Sequence, residues 1–176
     1  FDRDYAHASE FKPVQMLPES ERATFKGYVR ANGKVGTRNF IGILSTVNCS
    51  ATVVNRIAEW FTPERLAEFP NVDGVVALTH KTGCGMASDG EAIDILRRTT
   101  AGYIRHANFH SVLLVGLGCE ANQIEPCFQV SAERLAGLNP AGAQDAYLII
   151  HALGGAEKTI RAGIAAVERL LPQANA

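Results

Sequence analysis

Along the chain, short apolar runs alternate with stretches in which apolar residues recur every three or four positions. Phe40 to Val47 is an apolar run suited to a buried strand. Behind it Val53, Val54, Ile57, Trp60 and Phe61 share one helical face, and Ser50 stands where an N-cap belongs. Pro63 and Pro70 bracket a short connecting turn of helix. Val72 to Thr79 reads as a second strand, followed by Asp89 as a cap and by Ile93, Leu96, Thr100, Tyr103 and Ile104 on one face. Ser111 to Leu117 reads as a third strand. Pro126 falls at a first helical position, with Ile124, Cys127, Phe128, Ala132 and Leu135 along one side. Ala146 to Ala152 reads as a fourth strand, and Ile160, Ile164, Val167 and Leu171 as the face of a last helix.

Strands apolar on both faces, each followed by an amphipathic helix, predict an α/β fold. The expected form is a four-stranded parallel sheet flanked by helices, a Rossmann-like or flavodoxin-like three-layer arrangement with right-handed crossovers. The expected strand order is 2-1-3-4. Tyr28-Val29-Arg30 leading into Asn32-Gly33 predicts a short N-terminal hairpin at an edge of the sheet, because Asn-Gly suits a two-residue turn. Residues 1–24 carry Pro13, Pro18 and scattered charges without periodicity and read as a linker; residues 25–176 read as a single domain.

Composition narrows the function. A chain of 176 residues with 47% hydrophobic and 20% charged residues is ordinary for one soluble domain. A net charge of −1 leaves no basic surplus for nucleic acid. No apolar run approaches the ~20 residues that span a bilayer. The opening Phe1-Asp2-Arg3-Asp4-Tyr5 has neither a Met nor the apolar core of a signal peptide, so the chain reads as part of something longer. Four cysteines in this context predict a reduced, cytoplasmic protein rather than a disulfide scaffold.

Ligands of such sheets bind at the carboxyl ends of the strands. Cys49, Cys84 and Cys119 follow the first three strands at a constant spacing of 35 residues, and one more step reaches Gly154. Three thiols there can converge on one metal, each just before a helix whose dipole favours thiolate. Equally, cysteine is a small hydrophobe that suits buried turns. Cys127 lies on an apolar helical face and reads as core. His80 and Lys81 follow strand two and can serve as general base, with a hydrogen-bonded loop residue as the plainer reading of His80. Arg38 can anchor a carboxylate, or be a surface arginine; with Asn39 it precedes strand one, at the end opposite the cysteines. Glu120, Asn122 and Gln123 can bind hydroxyl groups or cap a helix. Gly116-Leu117-Gly118-Cys119-Glu120-Ala121 also matches a dinucleotide fingerprint, G-x-G-x-x-A, although it lies in the third unit and lacks the partner acid at the next strand.

The motifs Gly27-Tyr28-Val29-Arg30, Val35-Gly36-Thr37-Arg38-Asn39, Thr46-Val47-Asn48-Cys49-Ser50 and Asp73-Gly74-Val75-Val76-Ala77-Leu78-Thr79-His80 occur in this order. They are followed by Gly83-Cys84-Gly85, Gly116-Leu117-Gly118-Cys119-Glu120 and Asn122-Gln123. In these the chain resembles the galactarate dehydratase/altronate hydrolase family of hydro-lyases, from about residue 25 onward. The resemblance implies that an aldonic or aldaric acid loses water to give a 2-keto-3-deoxy acid. It implies a divalent iron; read from the residues themselves, Cys49, Cys84 and Cys119 are the candidate ligands for iron as Fe²⁺ or an iron–sulfur cluster, His80, Lys81 and Arg38 the catalytic candidates, and Arg38, Asn39, Glu120, Asn122 and Gln123 the candidates at the substrate. It further implies a missing small N-terminal domain joined through the linker, a large C-terminal domain that also holds metal, a homodimer formed through this second domain, and little activity of the domain alone. Family members often carry Gln-Glu before the Gly-Gly of strand four, where this chain has His151 and Ala152. The competing readings are a dimerisation scaffold without reacting residues and an NAD-binding domain.

Overall fold

The computed structural model describes residues 13–124 and 147–176. The segment with Pro126, Cys127, Phe128, Ala132 and Leu135 lies outside them, as do residues 1–12. The first described stretch, to Lys26, is exposed and carries one 3₁₀ turn at Glu19–Glu21.

Two short strands, β1 (Tyr28–Val29) and β2 (Val35–Gly36), pair antiparallel around the Asn32-Gly33 turn. Gly33 takes φ 77°, the left-handed region such a turn requires. This hairpin is a sheet of its own, not an edge of the main one as expected. Its side chains are consumed by the loop before the third main strand: Arg30 Nε donates to Ala107 O at 2.7 Å, and the Asn108 side chain accepts from Thr37 N at 2.9 Å.

The main sheet holds β3 (Phe40–Ser45), β4 (Gly74–Leu78), β5 (Phe109–Gly116) and β6 (Tyr147–Ile149), all parallel, in the order β4-β3-β5-β6. This is the expected 2-1-3-4. Helices α1 (Ala51–Trp60) and α4 (Ala156–Asn175) cover one face, and α2 (Glu91–Ile104) the other. Ile41, Ile43, Leu113 and Val115 point to the α1/α4 side, against Val53, Val54, Ile57, Val167 and Leu170. Leu44, Val112 and Leu114 point the other way, against Ile104. A strand buried on both faces has no room for polar alternation, which is why β3 and β5 read as continuous apolar runs. Each fully buried Ile or Leu here contributes roughly 1.5–3 kcal/mol.

Three local expectations are corrected. The fourth strand stops at Ile149, and Ile150–Leu153 is a single helical turn, α3. An unbroken apolar run does not mark where extended backbone gives way to helix. Gly154 consequently caps α3 rather than ending a strand, so the 35-residue step does not recur at an equivalent point. Gly90, with φ 93°, occupies the cap position of α2, and Asp89 makes no capping bond. Ser50 occupies the cap position of α1 but donates to carbonyls, Val47 O at 2.9 Å and Val115 O at 2.7 Å, instead of receiving an N–H.

Candidate active-site rim

The loops that follow β3, β4 and β5 meet at the carboxyl end of the sheet. The first runs from Thr46 to Ser50, and Asn48 N donates to Thr82 O of the second at 2.8 Å. The second passes through Gly83, whose carbonyl accepts Ala121 N at 3.1 Å and Asn122 N at 3.4 Å from the third. Gly83 has φ 96°, and a Cβ there would lie 2.5 Å from Thr46 O and 2.9 Å from Val47 Cα. Only glycine permits that approach. The three cysteine-bearing loops thus meet at the Thr82-Gly83 step, with Thr82 bonded to the first loop and Gly83 packed against it and bonded to the third.

Cys49, Cys84 and Cys119 are free thiols, all exposed. Cys49 shares a side-chain hydrogen bond with Cys84 and feels Cys119 electrostatically. Its pKa is raised by desolvation, then by the Cys84 thiol as charge and as hydrogen-bond partner, then by Cys119. Desolvation and neighbouring thiols both oppose ionisation, and at Cys49 together they outweigh the lowering pull of a backbone hydrogen bond. Among the described residues no group of three or more His, Cys, Asp or Glu side chains is set to hold a metal ion as it stands. The donor set is nonetheless of the soft kind that suits iron–sulfur or another thiophilic centre, while hard oxygen-seeking ions fit it poorly.

Glu120 is buried beside Cys119 and anchors the third loop. Its carboxylate accepts Thr46 Oγ1 at 2.8 Å, Leu117 N at 3.1 Å and Gly118 N at 2.6 Å. Burial alone would raise its pKa. The hydrogen bonds from its own N–H, Gly118, Thr46 and Leu117 outweigh burial and hold it below the usual carboxylate value. This answers the dinucleotide reading: the N–H groups of Leu117 and Gly118, which a pyrophosphate would need, already serve an internal anion. Asn122 is buried too and donates Nδ2 to Thr46 O at 3.0 Å. Gln123 is exposed.

His80 is half-buried, with Nε2 3.1 Å from Ser45 O and Nδ1 accepting Thr82 N at 3.3 Å. These partners fix the tautomer with the proton on Nε2. Burial lowers its pKa, with a smaller opposing pull from the Ser45 carbonyl. Lys81 is exposed beside it. Arg38 and Asn39 do not join this rim. Arg38 Nη1 lies 3.4 Å from Asp73 Oδ1 at the amino ends of β3 and β4. Asn39 is buried there, its Nδ2 donating to Asn71 O and Ala174 O.

A family model described as D-galactarate dehydratase/altronate hydrolase, second domain, matches residues 27–175. The chain belongs to this family. Altronate dehydratase of Bacillus subtilis (strain 168) is 34% identical over 105 residues, covering 60% of this chain and 20% of that protein. Altronate dehydratase of Escherichia coli (strain K12) is 41% identical over 100 residues, 55% of this chain and 19% of that protein. The galactarate dehydratase (L-threo-forming) of the same organism is 42% identical over 115 residues, 65% and 22%. This second domain therefore spans about a fifth of the length of the curated relatives it matches.

Sequence reasoning left two residues of the second domain without a role that the structure brings to the rim. His151 N donates to Leu117 O at 3.0 Å, and the His151 ring lies over Gly118. Tyr147 and His151 line one cavity together with Gly118 and Glu120. Their signal was weak: both belong to the short fourth strand and its extension, where polar residues are few.

Proposed function

We propose that this chain is the cysteine-bearing domain of an iron-dependent sugar-acid hydro-lyase, which removes water from an aldonic or aldaric acid to give a 2-keto-3-deoxy acid. The observation that carries the reading is the tying of the three cysteine loops at Thr82 and Gly83, which presents three exposed thiols on one rim. Cys49, Cys84 and Cys119 would hold the iron, which supplies charge stabilisation at the substrate when bound.

In the reaction a base takes the C2 proton, the C3–O bond breaks, and the leaving hydroxide departs with a proton as water. The resulting C2–C3 enol tautomerises to the ketone, so the net loss is one H₂O. His80 suits the base. It is kept neutral by burial, and its Nδ1 lone pair is engaged only by the long Thr82 N–H contact. Lys81 is the neighbouring cation. Glu120 and Asn122 hold the loops that place the thiols, and Gln123 remains available to substrate hydroxyls.

The reading extends to a cytoplasmic homodimer completed by other domains. Support for pairing is a surface groove between α1 and α4 that presents Trp60, Ile160 and Ile164 inside a rim of Arg56, Glu59, Glu157, Arg161 and Glu168, the apolar centre and polar rim of an interface. Among the described residues no helix is long and apolar enough to cross a membrane.

One observation favours a second reading, a scaffold domain without reacting residues: Glu120, Asn122 and Asn39 are spent on internal hydrogen bonds. The deciding experiment is iron analysis and dehydration assay of the whole enzyme containing this chain, purified without oxygen. Cys49→Ser, Cys84→Ser and Cys119→Ser should each lower bound iron and turnover together. Full iron and full turnover in all three would establish the scaffold instead.

A further inference from the structure

We propose that Cys49 and Cys84 form a reversible dithiol–disulfide pair across the first two rim loops, with Cys119 left outside it. The pair stands on the geometry of the loops; its competition with iron rests on the dehydratase reading.

The three thiols are not equivalent. β3 and β4 are parallel neighbours, so their exit loops leave side by side, and Asn48 N donates to Thr82 O across them at 2.8 Å. Cys49 follows directly after Asn48, and Cys84 stands on the far side of Gly83 from Thr82. Their side chains are within hydrogen-bond reach of each other. Cys119 acts on Cys49 through charge, without such a bond. The rim is thus a pair plus one thiol, in keeping with the finding that no group of three donors among the described residues is set to hold a metal. Iron has to draw Cys119 to the other two, whereas a disulfide needs only the two sulfurs already in reach.

The backbone on the two sides favours closure. Cys49 lies in the 3₁₀ turn Asn48–Ser50, which is held by Ser50 Oγ on Val47 O and Val115 O. Cys84 lies between Gly83, packed against Thr46 O and Val47 Cα, and Gly85, where an added Cβ would meet nothing within 4 Å. One thiol is held firmly and the other adjoins an open glycine, which leaves room for the short approach that an S–S bond requires. Both residues are exposed, so a dissolved oxidant reaches them.

The oxidant is a low-molecular-weight disulfide, RSSR. The Cys84 thiolate attacks one of its sulfurs, the RS–SR bond breaks, and a mixed disulfide on Cys84 forms. Cys49 then attacks the Cys84 sulfur and expels the second RS⁻. Each departing RS⁻ takes up the proton lost by the attacking thiol. Two protein thiols are oxidised, one RSSR is reduced to two RSH, and excess RSH reverses both steps. The closed pair withdraws two of the three thiols from iron, so the oxidised rim and the iron-bound rim exclude each other.

The test uses the whole enzyme containing this chain, purified without oxygen, stripped of metal with a chelator and incubated in oxidised glutathione. Remaining thiols are blocked with N-ethylmaleimide, and the unreduced digest is mapped by mass spectrometry. The expected product joins the Cys49 and Cys84 peptides, leaves Cys119 alkylated or carrying glutathione, and opens again in dithiothreitol. Cys49→Ser should instead trap glutathione on Cys84. Cys119→Ser should close the pair within about twofold of the wild-type rate, because Cys119 takes no part in the exchange. A wild-type bond from Cys119 to either partner overturns the pair. So do stable glutathione adducts on both Cys49 and Cys84, or two thiols still alkylated in excess oxidant. Fe²⁺ loaded beforehand should slow closure at least ~10-fold, since bound thiolates cannot attack. Equal closure with and without Fe²⁺ overturns the competition and the thiol–iron reading with it, while the mapped disulfide still sustains the pair.

Discussion

The Thr46 hydroxyl donates to the Glu120 carboxylate at 2.8 Å, fastening the end of β3 to the loop after β5. Thr46 also receives Asn122 through its carbonyl and sits against Gly83. One small residue thereby touches two of the three cysteine loops and closes the third. Its position between Ser45 and Val47 gives it this reach, because β3 is central in the sheet and its exit faces both neighbours.

Glu120→Gln should destabilise the domain by roughly 1–3 kcal/mol, since the buried side chain can no longer offer a charged acceptor to the part-buried N–H groups of Leu117 and Gly118. The folded-state pKa is depressed, so the stability it contributes is fully present above the ordinary value of 4.5 and is lost as pH falls through the lower folded value. Urea unfolding across pH should show wild type and variant converging below about pH 4.5. A constant gap down to strong acid would contradict the hydrogen-bonded ionised carboxylate.

Gly83→Ala and Gly85→Ala should behave differently, although both glycines have positive φ. At Gly83 a Cβ meets backbone at 2.5 Å, whereas at Gly85 nothing lies within 4 Å. Gly85→Ala should cost only about 1 kcal/mol of backbone strain. Gly83→Ala should cost several times that and separate the cysteine loops, which thiol-pair crosslinking of Cys49 to Cys84 would register. Equal melting temperatures in the two variants would refute the keystone role of Gly83.

On the far side of the sheet Gly163 of α4 admits Ile57 of α1, whose Cγ1 would stand 2.9 Å from an added Cβ. Gly163→Ala should therefore destabilise by about 1–3 kcal/mol through overpacking, despite alanine's better helix propensity. Ile57→Val removes the methyl nearest the clash, so the double variant should be more stable than the sum of the two single changes predicts. Additive losses in thermal unfolding would mean the helices separate freely.

The repeating units were legible in the sequence because β3 and β5 are apolar on both faces and the helices carry one-sided stripes. The cysteines at the strand ends were legible for the same reason, since topology puts every βα loop on one rim. What stayed hidden is what pattern cannot encode. Ile149 and Ile150 look alike, yet the first is strand and the second is helix. Glu120 reads as a polar rim residue, and only coordinates show its oxygens turned inward onto Thr46 and Gly118. Asn39 resembles a surface polar residue but is buried under the end of α4. His151 stood out in the sequence only as a departure from the family's Gln-Glu pair, because its proximity to Gly118 is a contact between units distant in sequence.

The pH dependence of turnover tests His80 most directly. Its ring sits between Ser45 O and Thr82 N, and burial pushes its pKa below the ordinary 6.5. A base must be neutral to accept a proton, so kcat/KM should rise with pH and level off, with an apparent pKa under 6.5. The same shift has a stability consequence of opposite origin to that of Glu120. Above pH 6.5 the ring is neutral in both folded and unfolded chains and contributes nothing. As pH falls below 6.5 the unfolded chain binds the proton first, so stability declines until the folded value is reached. His80→Asn preserves a donor toward Ser45 O but cannot titrate. It should remove the decline in stability below pH 6.5 and, if His80 is the base, lower kcat by roughly 10²–10⁴-fold. The split between the two readouts is decisive: a flattened stability profile with unchanged kcat would leave His80 a buried structural histidine and move the base to Lys81 or beyond this domain.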